Sequence, residues 1–165
     1  APFAHVITIA KALKKLCDDV AMPAFIKTTG KSGLHVLLPL GRQLTYEQCL
    51  QLAILFARLV TDQVPDIATT TRAISKRGGK VYVDAFQNRR GQLMVAPFSV
   101  RPLPGAPVSM PIEWHEVTAK LDNGKFTIAN AKKRMAKLTH DPLLPVLEMK
   151  PDLVAVLERL NERLG

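Results

Sequence analysis

Two short apolar segments flank a glycine-rich turn near the start of the chain. The segments are AFIKTT (24–29) and LHVLLPL (34–40), and the turn between them reads GKSG. Each segment is too short for a helix and is bounded by turn-forming residues, so the pair predicts two strands joined as a hairpin-like unit. This unit predicts that part of the chain forms a sheet.

Helical periodicity lies on both sides of this unit. Apolar residues recur at three- and four-residue spacing from His5 to Ala21, with Lys and Asp on the opposite face, as in an amphipathic helix. The same spacing fills residues 45–63, where Thr45 and Gln48 have the capping-box form. We therefore expect two helices that are separated by the hairpin.

The rest of the chain alternates between strand, loop and helix signals. In chain order these are a loop or irregular helix (65–80), an alternating strand (80–86), a strand or irregular extended segment (93–101), a Pro-rich loop (101–111), and two helices (129–138 and 151–164), the second with an apolar stripe of Leu153, Val154, Leu157, Leu160 and Leu164. This order predicts an α+β fold in which helices pack on a mainly antiparallel sheet. We expect one domain over residues 1–165, with a helical tail over 129–165.

The composition narrows the class of partner and the compartment. The net charge is +9 in 165 residues and the pI is near 9.8, which is typical of proteins that bind nucleic acid or phosphorylated ligands. A merely basic surface is the alternative. Cys17 and Cys49 lie in apolar segments, which indicates reduced core thiols of a cytoplasmic protein. No apolar run is long enough to predict a membrane span.

The letters GKS in the turn also end the phosphate loop of many nucleotide hydrolases, but that motif does not fit this chain. It requires a glycine at position 25, which is occupied by Phe25, and a helix that begins at the Lys-Ser pair. A strand is predicted there instead. What remains is a turn that carries two hydroxyl groups, those of Thr29 and Ser32, together with the side chains of Lys31 and His35. It either cradles anionic oxygens or is an ordinary hairpin turn.

Asp84 stands in the middle of the strand predicted over 80–86, where aspartate is disfavoured. A carboxylate in such a place costs stability unless it binds a cation. It either pairs with one of the neighbouring Arg or Lys residues or ligates a metal ion, and a lone carboxylate is a weak metal signal. The residues alone leave both interpretations open.

Three blocks of the chain together resemble one protein family. KTTGKSGLHVLLPL, KVYVDAFQNRRG and MVAPFSVRPLPGAPVSMPIEW are similar, in the same order, to blocks of the polymerase domain of bacterial ATP-dependent DNA ligase D, a member of the archaeo-eukaryotic primase superfamily. The likeness runs from the first residues to about Ala136. It implies a primase-polymerase fold of the RRM-like palm type, here incomplete, and a DNA-repair nucleotidyltransferase that fills gaps in non-homologous end joining.

The resemblance implies a set of contacts to a nucleoside triphosphate. Thr29 and His35 are similar to the hydroxyl and the imidazole with which the family contacts the triphosphate, and Arg101 is similar to the arginine that clamps it. Ser32 falls where the family often has a lysine, and Lys31 lies one place earlier. The cation at this position is therefore expected to be displaced in this chain.

The resemblance also implies a catalytic metal site for Mn²⁺ or Mg²⁺. Asp84 is similar to the third metal-binding carboxylate, and Gln87 lies where the family has a polar or basic nucleotide contact. The family's other two carboxylates belong to an Asp-x-Asp strand that would precede Ala1. Asp18 and Asp19 are no substitute, because they lie near the end of a predicted helix on its polar face. We expect the chain alone to be inactive, since two-metal catalysis needs more than one carboxylate.

Two interpretations of function remain open. In the first, the chain is one half of a polymerase domain, with the missing N-terminal half and DNA ends as partners. In the second, it is a non-catalytic nucleotide- or nucleic-acid-binding module derived from the primase fold. An unpaired sheet edge favours self-association in either case.

The C-terminal third contributes a cluster of positive charge. Lys132, Lys133 and Arg134 are candidates for contacts to a nucleic-acid backbone, without sequence readout. A solvated helix face is the alternative interpretation. Trp114 follows the Pro-rich loop, and we expect it to anchor that loop on the core and not to stack on a base.

Overall fold

The structure, a computed structural model, describes residues 1–163 and divides into two units. The helical unit consists of Ala1–Pro23, Leu40–Met94 and the chain from Lys150 onward, and the sheet unit consists of Ala24–Pro39 and Val95–Met149. The single domain predicted over 1–165 stays a prediction, and Leu164 of the predicted apolar stripe lies outside the described residues.

The elements alternate between helix and strand along the chain, as the sequence predicts. In chain order they are α1 (Phe3–Asp19), β1 (Phe25–Thr28), β2 (Leu34–Leu37), α2 (Tyr46–Gln63), β3 (Ala68–Thr69), β4 (Val81–Tyr82), β5 (Pro111–Ile112), α3 (Ala131–Met135) and α4 (Leu153–Glu162). Five short 3-10 helices lie between them, at Ile74–Lys76, Phe86–Asn88, Trp114–Glu116, Asn123–Lys125 and Leu144–Leu147. The α+β class is confirmed. None of the helices within residues 1–163 is long and apolar enough to cross a membrane.

The core of the helical unit lies between its two long helices and a small sheet. Ile9 of α1, Val60 of α2 and Ala68 of β3 are buried together, because the apolar positions of both helices recur on one face. Strands β3 and β4 pair in parallel, with Ala68 opposite Val81. Strand β3 falls in the segment 65–80 that the sequence predicts as loop or irregular helix, so a short strand was missed there.

The N-terminal cap of α2 and the buried face of α4 were both predicted from the sequence. The Thr45 hydroxyl accepts a hydrogen bond from the Gln48 amide and the Gln48 side chain accepts one from the Thr45 amide, so the capping box is confirmed. In α4 the predicted apolar stripe is partly wrong, because Val154 and Leu157 are exposed, by 67% and 45%, while Val156, which is not part of the stripe, is buried. The buried face therefore follows three- and four-residue steps from Leu153.

The sheet unit is built around β1, which pairs antiparallel with β2 on one edge and with β5 on the other. The predicted hairpin is confirmed, with Lys27 of β1 directly opposite His35 of β2. Residues 107–112 are buried and end in β5, although most of them belong to the segment 101–111 predicted as a Pro-rich loop. Proline is tolerated here because β5 is an edge strand of this sheet.

Trp114 anchors the chain that follows β5. Its indole nitrogen donates a hydrogen bond to the carbonyl oxygen of Ala24, at 2.7 Å. This contact joins the start of β1 to the 3-10 helix after β5, and it confirms the anchoring role that the sequence predicts.

A substitution at Gly30 tests how tightly the turn is packed. Gly30 has φ +69°, and a Cβ atom there would lie 2.8 Å from Cγ of Arg101 and 3.0 Å from the carbonyl carbon of Val108. We expect Gly30→Ala to lower the free energy of unfolding by about 1–3 kcal/mol, through backbone strain and this clash. Urea denaturation followed by circular dichroism measures the change.

Gly33 in the same turn is the matched control. A Cβ atom on Gly33 would meet only the Thr29 side chain, at 3.7 Å, which is an ordinary van der Waals distance. We expect Gly33→Ala to change the free energy of unfolding by less than about 1 kcal/mol. Equal losses in the two variants would contradict the packing described for Gly30.

Candidate nucleotide-binding site

The turn between β1 and β2 is held closed by the side chain of Thr29. Its hydroxyl oxygen accepts hydrogen bonds from the amides of Lys31 and Gly33, at 3.2 and 3.1 Å, and the Thr29 amide donates to the Gly33 carbonyl. These two amides therefore point toward Thr29 and are engaged within the turn. The Thr29 hydroxyl keeps its own proton to donate to a ligand.

Three side chains of this turn and strand β2 are accessible to a ligand. Lys31 and Ser32 are exposed, and His35 is half-buried at the second position of β2. The sequence predicts all three as nucleotide contacts. Their proximity follows from the hairpin alone, because a turn of only five residues, 29–33, separates the two strands.

Lys27 lies on β1, two residues before Thr29, and is the residue that the sequence-based site omits. Its side chain is fully buried, and its ammonium group donates to the Ser109 hydroxyl at 2.6 Å. Burial, together with the smaller effect of the positive charge of Arg101, lowers the pKa of Lys27 to about 8. The signal available in the sequence was a lysine inside a predicted strand, directly after the apolar residues Phe25 and Ile26.

A second set of hydrogen bonds brings the chain around residues 108–110 against β1. The Thr28 hydroxyl donates to the Val108 carbonyl at 3.2 Å and accepts from the Met110 amide at 2.9 Å. The Ser109 hydroxyl in turn donates to the Thr28 carbonyl at 2.9 Å. Both Thr28 and Ser109 are fully buried, so water does not compete for these bonds.

This pairing carries Arg101 to the turn. The Arg101 amide donates to the Pro107 carbonyl at 2.7 Å, and its Cγ atom lies next to Gly30, where even a Cβ atom would clash. The Nε atom of Arg101 is buried with no hydrogen-bond partner within residues 1–163. An arginine in this state can donate to an anion without first breaking a bond to the protein.

The sheet unit therefore brings together most of the predicted nucleotide contacts. They are Thr29, Lys31, Ser32, His35 and Arg101, with Lys27 on the adjoining strand β1. The group consists of hydroxyl and cationic donors, which suit the oxygens of a phosphate. It holds no acidic side chain, because neither 24–40 nor 95–112 contains Asp or Glu.

Asp84 and Gln87 belong to the helical unit. Strand β4 ends at Tyr82, so the prediction that Asp84 lies within a strand is wrong. Its carboxylate accepts hydrogen bonds from the Phe86 amide at 2.9 Å, the Tyr82 hydroxyl at 3.2 Å and the Gln87 amide group at 3.3 Å. Aspartate is favoured in such a turn because its side chain satisfies a free amide.

The surroundings of Asp84 also affect Tyr82. Burial raises the pKa of the Tyr82 hydroxyl, and the negative charge of Asp84 and its hydrogen bond raise it further. Arg77 stacks on the same ring, 4.4 Å from its centre. An ion pair between Asp84 and a neighbouring Arg or Lys was one of the two alternatives from the sequence, and the hydrogen bonds to Asp84 come instead from neutral donors.

The described residues do not form a metal site. Within residues 1–163 no group of three or more His, Cys, Asp or Glu side chains is close enough to hold an ion. Asp18 and Asp19 pair with Lys14 and Lys15 one turn away on α1, as expected for the polar face of a helix. Asp84, with its carboxylate oxygens already bonded, does not fit a divalent ion by itself.

Arg134 of the basic cluster has a structural role. Its guanidinium group makes two hydrogen bonds of 2.7 Å to the Glu116 carboxylate and stacks on the Phe126 ring. Burial acts to raise the pKa of Glu116, but the hydrogen bonds and charge of Arg134 outweigh it and hold that pKa below its usual value. Lys132 and Lys133 are exposed, so they remain the better candidates for contacts to a polyanion.

An open cleft of about 300 Å³ lies beside this cluster in the sheet unit. Its lining combines basic side chains with one aromatic ring and consists of Lys125, Phe126, Asn130, Lys133, Arg134, Lys137 and Leu138. The predicted contacts Lys133 and Arg134 both belong to it, whereas Lys132 does not.

Comparison with known proteins relates this geometry to a family. Residues 1–143 match the family described as LigD, primase-polymerase domain. The chain is 32% identical to the bifunctional non-homologous end joining protein LigD of Bacillus subtilis, over 82% of this chain and 22% of that protein. It is 30% identical to the multifunctional non-homologous end joining DNA repair protein LigD of Mycobacterium tuberculosis, over 96% of this chain and 19% of that protein.

A solved structure shares the fold. The polymerase domain from Mycobacterium tuberculosis ligase D in complex with DNA superposes with a TM-score of 0.82 and 28% identity, over 92% of this chain and 52% of that one. The chain thus spans about a fifth of the curated relatives and about half of the solved domain. Because the family match covers most of its residues, the chain belongs to the LigD primase-polymerase domain family.

Proposed function

We propose that this chain is part of a DNA-repair nucleotidyltransferase, the primase-like polymerase of ligase D, which fills gaps in non-homologous end joining. In this proposal it holds the triphosphate-binding half of the site. The observation that supports the proposal is the convergence of Thr29, His35 and Arg101 on one turn, in a chain of this family.

Each of these side chains can donate to a phosphate oxygen. The Arg101 guanidinium group offers a charged fork that matches two oxygens at once. The Thr29 hydroxyl and the His35 imidazole add single donors, and Lys31 and Ser32 are exposed on the turn where they can contact the outer phosphates. Together they would neutralise and orient a nucleoside triphosphate without activating a nucleophile.

Asp84 and Gln87 are proposed to complete the nucleotide site in the assembled polymerase. Asp84 would be a catalytic carboxylate that ligates Mn²⁺ or Mg²⁺, and Gln87 a contact to the nucleotide. Within residues 1–163 no three His, Cys, Asp or Glu side chains are grouped closely enough to hold such an ion. The further carboxylates would come from the N-terminal half of the domain, which we propose as a partner together with DNA ends.

Binding of ATP tests the triphosphate site. We expect Arg101→Ala to weaken ATP about 10- to 100-fold, because a charge-assisted hydrogen bond contributes roughly 1.5–3 kcal/mol. His35→Ala is expected to weaken it less, by about 5-fold. Isothermal titration calorimetry measures both, with Arg58→Ala, an exposed arginine of α2, as the control. Unchanged affinity in both site variants would contradict the proposal.

Primer extension tests the proposed inactivity of the chain alone. With Mn²⁺, a nucleoside triphosphate and a primed DNA end, we expect no extension by the 165-residue chain. Addition of the N-terminal half of a ligase D polymerase domain should restore activity if the missing carboxylates are the only deficiency. Extension by the chain alone would refute this part of the proposal.

Sedimentation of the same sample tests a separate prediction, the self-association of the chain.

The basic cleft favours a second candidate function, a non-catalytic module that binds nucleic acid. Lys125, Lys133 and Lys137 line it together with Phe126, and the chain carries a net charge of +9. Such a surface binds phosphate backbones by charge, with little dependence on base sequence.

A pair of double variants with equal charge tests this second candidate. We expect Lys133→Ala with Lys137→Ala to weaken duplex DNA binding for all sequences alike and to reduce the salt dependence by about two counterions. Lys11→Ala with Lys120→Ala removes the same charge at exposed positions that do not line the cleft. Fluorescence anisotropy at several salt concentrations compares the DNA affinities of the two double variants. Equal losses of affinity in both would show that net charge, and not the cleft, determines binding.

A further inference from the structure

We propose that Lys27 is a positioning residue for the triphosphate site, which orients Arg101 through Ser109 and through the repulsion between two unneutralised cations. This inference rests on the function proposed above and adds a residue that the family resemblance does not include. Lys27 does not itself contact the ligand, because its side chain is fully buried.

The mechanical connection runs through Ser109. The Lys27 ammonium group donates to the Ser109 hydroxyl at 2.6 Å, which fixes the rotamer of that side chain. The backbone of Ser109 is bonded on both sides to the segment before Arg101: the Phe98 amide donates to its carbonyl at 2.7 Å, and its own amide donates to the Ser99 carbonyl at 2.9 Å. A shift of Lys27 is therefore transmitted to the chain that carries Arg101.

The electrostatic connection between Lys27 and Arg101 arises because no carboxylate of 24–40 or 95–112 neutralises the two positive charges. Within residues 1–163, the charge that acts on Lys27 is that of Arg101, from the segment before β5, and the titratable residue opposite Lys27 on β2 is His35. The β5 residue opposite it is Pro111. A buried lysine is ordinarily paired with a carboxylate, yet neither 24–40 nor 95–112 contains one.

An anionic ligand would supply the missing negative charge. In the free protein, burial and the charge of Arg101 lower the pKa of Lys27 to about 8. A triphosphate held by Arg101 favours the charged form of Lys27 and raises this pKa again. Binding should therefore take up a proton above pH 8, and affinity should fall as the pH rises from 8 toward the higher pKa of the complex.

Calorimetry of ATP binding to the complete chain in two buffers of different ionisation enthalpy measures this proton. At pH 8.5 we expect an uptake of about half a proton for the wild type. Lys27→Met keeps the length of the side chain and removes its charge, and we expect about a 10-fold loss of affinity with no uptake.

Two further variants separate the two connections. Ser109→Ala breaks the link between Lys27 and the segment before Arg101, so affinity should fall while the proton uptake persists. Lys120→Met, at an exposed position of the sheet unit, is the control and should change neither quantity. Circular dichroism and thermal unfolding establish that each variant is folded.

The affinity and proton uptake of Lys27→Met separate the role of Lys27 from the proposed triphosphate site. Unchanged affinity and uptake in Lys27→Met would overturn the role of Lys27 and leave the triphosphate site intact, and so would an affinity loss with undiminished uptake. If Lys27→Met does not fold, the absence of uptake in the wild type overturns the inference. A wild type that does not bind ATP would overturn the proposed function, and this inference with it.

Discussion

Strand β1 is hydrogen-bonded along both of its edges, and the candidate site depends on this central position. One edge is paired with β2 and thereby fixes His35, while the other is paired with β5. The buried Thr28 hydroxyl adds bonds to Val108 and Met110 on that second edge. Arg101, far away in the chain, reaches the turn because the segment that follows it is tied to β1 in this way.

Local signals predicted the fold well where the structure is local. The helices over 45–63 and near the N-terminus, and the hairpin, follow from apolar spacing and capping within a few residues. Strands β3 and β5 contain two residues each and exist only through pairing with a partner strand. Two residues are too few to show the alternation of apolar and polar residues from which a strand is predicted. Val156 was missed for a related reason, since which face of α4 is buried depends on its neighbours.

The candidate site was predicted in part. The turn residues followed from the hairpin, and family resemblance contributed Arg101, but the contacts to a nucleotide stay predictions. Lys27 was missed because burial of a lysine is invisible in a sequence, although its place in a predicted strand, directly after two apolar residues, hinted at it. Asp84 was assigned to a strand because the alternation of 80–86 continues past Tyr82, where the backbone instead turns and the carboxylate caps it.

The hydrogen bonds within the turn bear on how a ligand would bind. The Thr29 hydroxyl already holds the amides of Lys31 and Gly33, so the loop has its folded shape before any ligand arrives. Ordering a flexible loop costs conformational entropy that would be subtracted from the affinity. A turn that is pre-organised in this way avoids that cost, and its backbone would change little when a triphosphate binds.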